Sequence, residues 1–273
     1  MEIIFGTIAI LLVIEATRRT FGLFLPILTV IFIGYMMFGS LTPGIFHHSG
    51  ASYEMMVEHL YLVPEGMFNF LTGILATLLF TFLALGTFLS VSGADTLFLD
   101  FCVAVAGHRA GGPAKVAVIG SALMGMVSGS NVANVATTGA ITIPLMKKVG
   151  YKPYMAAAIE AVASTGGQIM PPIMGVAIFI LSELTGIPLG KCILISILPA
   201  IMFFGTLYVY VHIKANRMGL RGLERSKLPR LKDTIKRGFH LTIPVIFLIY
   251  FLIIGYTPFY ASAVCAVMVI VVS

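Results

Sequence analysis

Met124-Gly-Met-Val-Ser-Gly-Ser-Asn-Val-Ala-Asn134 places glycine and small hydroxyl and amide residues between two apolar arms. The whole stretch, Gly112 to Lys148, begins beside Arg109 and Lys115 and ends at Lys147, Lys148 and Lys152. Basic clusters mark the cytoplasmic side of a membrane protein, so a segment bounded by two of them starts and finishes on one side. A re-entrant helical hairpin over 112–148, with its tip at the small residues, satisfies that condition. A glycine-rich packing surface between helices would use the same residues, but does not account for the matching basic ends.

That reading presupposes a bilayer, which the composition requires. Of 273 residues, 59% are hydrophobic and 10% charged, against roughly 25% charged in a soluble domain. Phe21 to Phe38, Met67 to Val91, Tyr154 to Leu184, Lys191 to His212 and Leu241 to Tyr256 are apolar blocks, each near the ~20 residues that cross a membrane. Met1 to Ala16 is short for a span, and Pro258 to Ser273 stops while still apolar, which suggests part of a longer polypeptide. A cleaved signal fits poorly, because Glu2 replaces the usual basic start and no small-residue cleavage site follows. Cys102, Cys192 and Cys265 are odd in number and lie in apolar segments, as packing residues do. The net charge of +6 does not indicate nucleic acid, since nine of the 17 basic residues fall between Lys214 and Arg237, beside a span.

The basic clusters order the rest of the chain. Residues 1–93 are expected to be scaffold transmembrane helices, with an external loop at 39–66 that carries Glu54, Glu58 and Glu65 but no Lys or Arg. Residues 94–111, with Asp95 and Asp100 among apolar neighbours, read as an interfacial arm helix. The hairpin at 112–148 follows, then a discontinuous transmembrane helix at 153–188, because Ser164-Thr-Gly-Gly-Gln-Ile-Met-Pro-Pro172 sets two glycines and two prolines at membrane depth. A span at 189–213, a basic cytoplasmic loop at 214–240 and a further apolar stretch at 241–273 complete the map.

Unwound backbone survives in a bilayer only where protein or a water-filled cavity covers it, so both interruptions point to a site. Helix breaks expose N–H groups that favour anions and carbonyls that favour cations, and transporters place them around substrate and coupling ion. Ser128, Gly129, Ser130, Asn131, Asn134, Ser164, Thr165 and Gly166 are the candidate cation ligands, supplying hard oxygens without any need for His or Cys. Each hydroxyl has an alternative use, bonding back to its own helix. Ser128 to Asn134 and Ser164 to Gln168 are expected to meet as non-helical backbone. Glu160, one turn before the second break, is a possible proton site, since charge within a span is costly and usually functional; it could instead lie near enough to the cytoplasmic end to reach water. No nucleophile and base can be assembled from the spans, because all six histidines fall in loops or at span ends, so an enzyme is not expected. An ion channel or a structural bundle subunit stays open beside a secondary transporter, although the two breaks differ in sequence and a channel filter is repeated by symmetry.

Gly125-Met-Val-Ser-Gly-Ser-Asn-Val-Ala-Asn-Val-Ala-Thr-Thr-Gly-Ala-Ile-Thr-Ile-Pro-Leu-Met-Lys-Lys148, followed by Glu160-Ala-Val-Ala-Ser-Thr-Gly-Gly-Gln-Ile-Met-Pro-Pro-Ile-Met-Gly175, resembles the large membrane (permease) subunit of tripartite ATP-independent periplasmic (TRAP) transporters. The second motif looks like the fused 4TM/12TM branch that works with TAXI-type binding proteins. The resemblance implies an all-α polytopic protein of the bacterial inner membrane, built as an elevator from two inverted repeats, of which this chain holds the first and the start of the second near Leu241. It implies uptake of a small carboxylate, delivered by a periplasmic substrate-binding protein and driven by sodium or protons, with no cofactor and with the remaining half of the permease as a partner. Thr137, Thr138, Gly167, Gln168, Pro171 and Pro172, around the two breaks, are the candidate substrate contacts.

Overall fold

Phe24–Leu41, Phe70–Val91, Leu189–Arg217 and Leu231–Ile254 are helical and apolar for long enough to cross a bilayer. The computed structural model describes residues 1–224 and 228–273; Arg225, Ser226 and Lys227 of the expected basic loop lie outside the described residues. Among the described residues every regular element is helical and none is a strand, and a helix satisfies all its backbone hydrogen bonds within one segment, as a bilayer crossing needs. The chain divides into two units, Met1–Ile74 and Leu75–Ser273.

In the first unit, α1 (Glu2–Phe21) is closed by Gly22 at φ 80°. It is followed by α2 (Phe24–Phe38), α3 (Tyr53–Val57) and α4 (Phe70–Ile74). Ile10, Met56 and Val57 form its small core. Gly6 is the reason α1 lies so close, since a Cβ there would sit 2.5 Å from Val57 Cγ1. The expected loop at 39–66 is largely a run of short helical turns, Gly39–Leu41, Gly44–Phe46, α3 and a π-helical turn at Glu58–Leu62. Backbone bonds tie it down, from Ala51 N–H to Met36 O at 2.9 Å and from Met67 N–H to Leu60 O at 2.7 Å.

The second unit begins with α5 (Phe80–Val91) and α6 (Ala94–Ala106). It continues with α7 (Gly112–Ser128), α8 (Asn131–Lys148), α9 (Pro153–Gly166), α10 (Val176–Thr185), α11 (Leu189–Arg217), α12 (Leu231–Ile254) and α13 (Pro258–Val272). The break between units falls at residue 75 and not after 93, because α5 packs on α7 and α13 and buries Phe82, Leu85 and Leu89. Helix α6 packs between α7 and α12, burying Leu99, Cys102 and Ala106. The expected basic loop at 214–240 is shorter than its charges suggested. Lys214 and Arg217 close α11, where cations suit the negative end of the helix dipole, and α12 is helical from Leu231.

Alanines make the centre of this unit narrow: Ala114 and Ala117 of α7, Ala156 and Ala163 of α9, and Ala215 of α11 are buried together. Small residues let membrane helices approach closely, and α7 is consequently buried along almost its whole length. Lys115, used above to set topology, is only 2% exposed. Its Nζ lies 3.0 Å from His212 Nδ1 and 5.5 Å from the centroid of the Tyr208 ring, linking α7 to α11.

Candidate functional site

Helices α7 and α8 form a hairpin whose turn is only two residues long. Gly129 ends α7 in the left-handed region at φ 59°, its N–H bonded to Gly125 O. Ser130 is extended and caps α8, its Oγ accepting from Ala133 N–H at 3.4 Å. Asn131 to Asn134 are therefore helical. The discontinuous element consists of α9, a 3-10 turn at Gly167–Ile169, a non-helical stretch through Gly175, and α10. Ser164, Thr165 and Gly166 still belong to α9, so the break comes later than the glycines suggested. The prolines decide its position: Pro172 has no N–H to offer Gln168 O, and Gly175 N–H takes that carbonyl instead at 2.7 Å.

The two interruptions touch through backbone. A Cβ on Gly129 would lie 2.1 Å from Met174 O, and one on Gly125 would lie 2.2 Å from Gly167 Cα. Ile173 N–H also donates to Met126 O at 3.4 Å. The glycines thus serve close packing, and the hairpin tip lies against the broken helix through that same packing.

Beneath the tip, Glu160 is fully buried, so it does not reach water. Its carboxylate accepts from Ser121 Oγ and Ser164 Oγ, each at 3.1 Å, and from Thr138 Oγ1 and Thr142 Oγ1. Four hydroxyls from α7, α8 and α9 converge on one acid, and no ion pair to it occurs among the described residues. Asn134, also fully buried, donates from Nδ2 to Ser121 O at 2.8 Å and ties the hairpin arms together. We expect Asn134→Ala to cost about 1–2 kcal/mol, since it removes a buried hydrogen bond between the two arms and the side chain that fills the space there; thermal unfolding in detergent would show it, and a change below ~0.5 kcal/mol would refute the assignment.

The predicted residues separate into distinct groups. Ser128, Gly129, Ser130 and Asn131 stay together at the half-buried tip. Ser164 turns to Glu160, whereas Thr165 is exposed and bonds back to Ala161 O at 2.8 Å. Gly166 packs against Phe203. Thr137 bonds back to Ala133 O at 2.6 Å, while its neighbour Thr138 is buried at Glu160. Gly167 meets Gly125, Gln168 is exposed, and Pro171 and Pro172 are buried. Ser121 and Thr142 were missed. The signal was present in the spacing, since Asn134, Thr138 and Thr142 are four residues apart and share one helix face, as do Glu160 and Ser164.

A hairpin seated on a broken helix, inside a bundle with apolar spans, is an arrangement that membrane transport proteins use. Comparison with known proteins is specific on this point: the profile of the tripartite ATP-independent periplasmic transporter DctM component matches residues 8–273. The chain belongs to this family of transport permeases. It is 32% identical over 187 residues to the C4-dicarboxylate TRAP transporter large permease protein DctM of Pseudomonas aeruginosa, covering 68% of this chain and 43% of that protein. It is 28% identical over 186 residues to the 2,3-diketo-L-gulonate TRAP transporter large permease protein YiaN of Escherichia coli, with the same coverage of 68% and 43%. It is 31% identical over 147 residues to the isethionate TRAP transporter permease protein DctMQ of Oleidesulfovibrio alaskensis, covering 54% of this chain and 23% of that protein. The chain spans about half the length of the curated relatives it matches.

Proposed function

We propose that this chain forms the first half of a TRAP permease of the bacterial inner membrane, importing a small carboxylate handed over by a periplasmic binding protein of the TAXI type and driven by a sodium gradient. In this reading the permease is of the fused 4TM/12TM kind, the α7–α8 hairpin is re-entrant, and the remaining half completes the site for an elevator movement. The observation that carries the proposal is the backbone contact between Gly129 and Met174. It brings the N-terminal ends of α8 and α10, which start at Asn131 and Val176, to one place. Helix N-termini favour anions, and no arginine on a span is then required to hold a carboxylate. The names of the three relatives all denote organic anions. The carbonyl-rich ends of α7 and α9 supply hard oxygens for the coupling ion, with Glu160 as the alternative, proton-carrying group.

The test is uptake by the complete transporter in proteoliposomes, with its binding protein and a panel of labelled small carboxylates. We expect uptake that needs the binding protein and an inward sodium gradient, and that proceeds without ATP. Uptake unchanged when choline replaces sodium would overturn the sodium reading. If it instead followed the proton gradient, and lost its pH dependence in Glu160→Gln, the coupling would belong to Glu160.

A further inference from the structure

Away from the hairpin, a cavity of about 230 Å³ lies between α6 and the first turns of α12. Thr96 and Asp100 line it from α6, and Thr234, Arg237 and His240 from α12. Gly238 lets the two helices meet beside it, since a Cβ there would sit 2.2 Å from Leu97 Cδ1. The two hydroxyls are turned back to backbone, Thr96 to Gly93 O at 2.8 Å and Thr234 to Arg230 O at 3.2 Å. Asp100, Arg237 and His240 make no hydrogen bond or ion pair among the described residues. Asp100 and His240 are half-buried and Arg237 is exposed. An acid and two nitrogen bases thus share one concave wall, and the oppositely charged pair among them is not closed.

The depth of this wall points to lipid. The apolar part of α12 begins at Leu241, directly after the basic stretch, so Arg237 and His240 stand where hydrocarbon gives way to headgroups, and basic pockets between spans at that level take phospholipids. We infer that the cavity binds the headgroup of one phosphatidylethanolamine molecule, with Arg237 and His240 donating to its phosphate and Asp100 accepting from its ammonium. Charge-assisted bonds of both signs match a zwitterion that carries a phosphate diester and a primary ammonium a few atoms apart. A phosphatidylglycerol headgroup has no cation for Asp100, and a choline headgroup has no N–H to give it. A second cavity of about 210 Å³ adjoins the first at Leu97 and Gly238 and is lined by Phe98, Phe101, Leu123, Ile235 and Phe239. Thr242 also lines it, with its hydroxyl turned to Phe239 O at 2.7 Å. Adjoining polar and apolar sites suit the two parts of one amphiphile, and a soluble phosphate or amino acid would use only the first.

Native mass spectrometry of the complete transporter, delipidated in detergent and re-exposed to single defined phospholipids, tests this by counting the lipids retained. One phosphatidylethanolamine per chain should be held about tenfold more tightly than phosphatidylglycerol or phosphatidylcholine. Asp100→Asn should abolish the preference over phosphatidylglycerol, and Arg237→Gln should weaken phosphatidylethanolamine by about tenfold. His240→Gln decides the phosphate side if Arg237→Gln does not fold. Lys232→Gln, an equal change of charge on the same helix outside the cavity, should change nothing. Equal retention of the three lipids by the unaltered transporter would overturn the site. So would a preference that survives Asp100→Asn, since Asp100 would then serve Arg237 and not a ligand, or an equal loss in Lys232→Gln. Free phosphoethanolamine should fail to displace the lipid; displacement as effective as that by phosphatidylethanolamine would assign the cavity to a soluble zwitterion and overturn the lipid reading.

Discussion

Glu160→Ala is expected to destabilise the hairpin by about 3 kcal/mol, a large share of the 5–15 kcal/mol that typically separates folded from unfolded protein. Individual hydrogen bonds between membrane helices contribute only ~0.6 kcal/mol on average, so no single hydroxyl would produce such a loss. Here one side chain accepts from Ser121, Ser164, Thr138 and Thr142 together, and its removal also leaves a cavity. The hydroxyls recover part of the loss by pairing with one another, since Ser121 Oγ already lies 3.4 Å from both Thr138 Oγ1 and Ser164 Oγ. Glu160→Gln keeps the volume and one carbonyl acceptor and should cost less than half as much. Reversible unfolding in mixed detergent measures both; a loss below ~1 kcal/mol for Glu160→Ala would mean that the cluster does not hold the three helices together.

In the complete transporter, Gly125→Ala should reduce the proposed uptake by about 100-fold, the scale of effect that a 1 Å misplacement produces at a positioned site. The added Cβ would stand 2.2 Å from Gly167 Cα, and backbone cannot rotate aside as a side chain can. The tip must therefore move off the broken helix, separating the ends of α8 and α10. Gly205→Ala provides the comparison, because a Cβ on that α11 glycine meets nothing within 4 Å; helix propensity predicts a gain of ~0.5–1 kcal/mol there. Near-normal uptake in Gly125→Ala would show that the contact is dispensable.

The all-helical class, the hairpin and the interruption of α9–α10 were legible in the sequence because each rests on a local property. Apolar block length sets the spans, paired glycines and prolines mark where helix cannot continue, and Gly125 to Gly175 carries the family resemblance. Element ends were less legible. A helix can carry charge in its last turn, so Lys214 and Arg217 belong to α11 and the basic run did not mark a loop from end to end. Composition also placed Lys115 on a surface, whereas His212 and Tyr208, about a hundred residues away, receive it inside the bundle.

The candidate site shows the same division. Small and polar residues near the breaks could be named as a set, but adjacent members face different neighbours, because successive helical residues point ~100° apart. Thr138 goes to Glu160 while Thr137 bonds back to Ala133 O, and Ser164 is buried while Thr165 is exposed. The sequence by itself determined that this chain spans a membrane, where its helices break and which family it belongs to, since those depend on local hydrophobicity, backbone chemistry and motif. Only the tertiary structure decided that Ser121 and Thr142 complete the Glu160 cluster and that the hairpin tip meets the broken helix through Gly125 and Gly129. Those relations depend on the packing of α5 through α9, and the glycine contacts that set that packing join residues up to 45 positions apart, such as Gly129 and Met174.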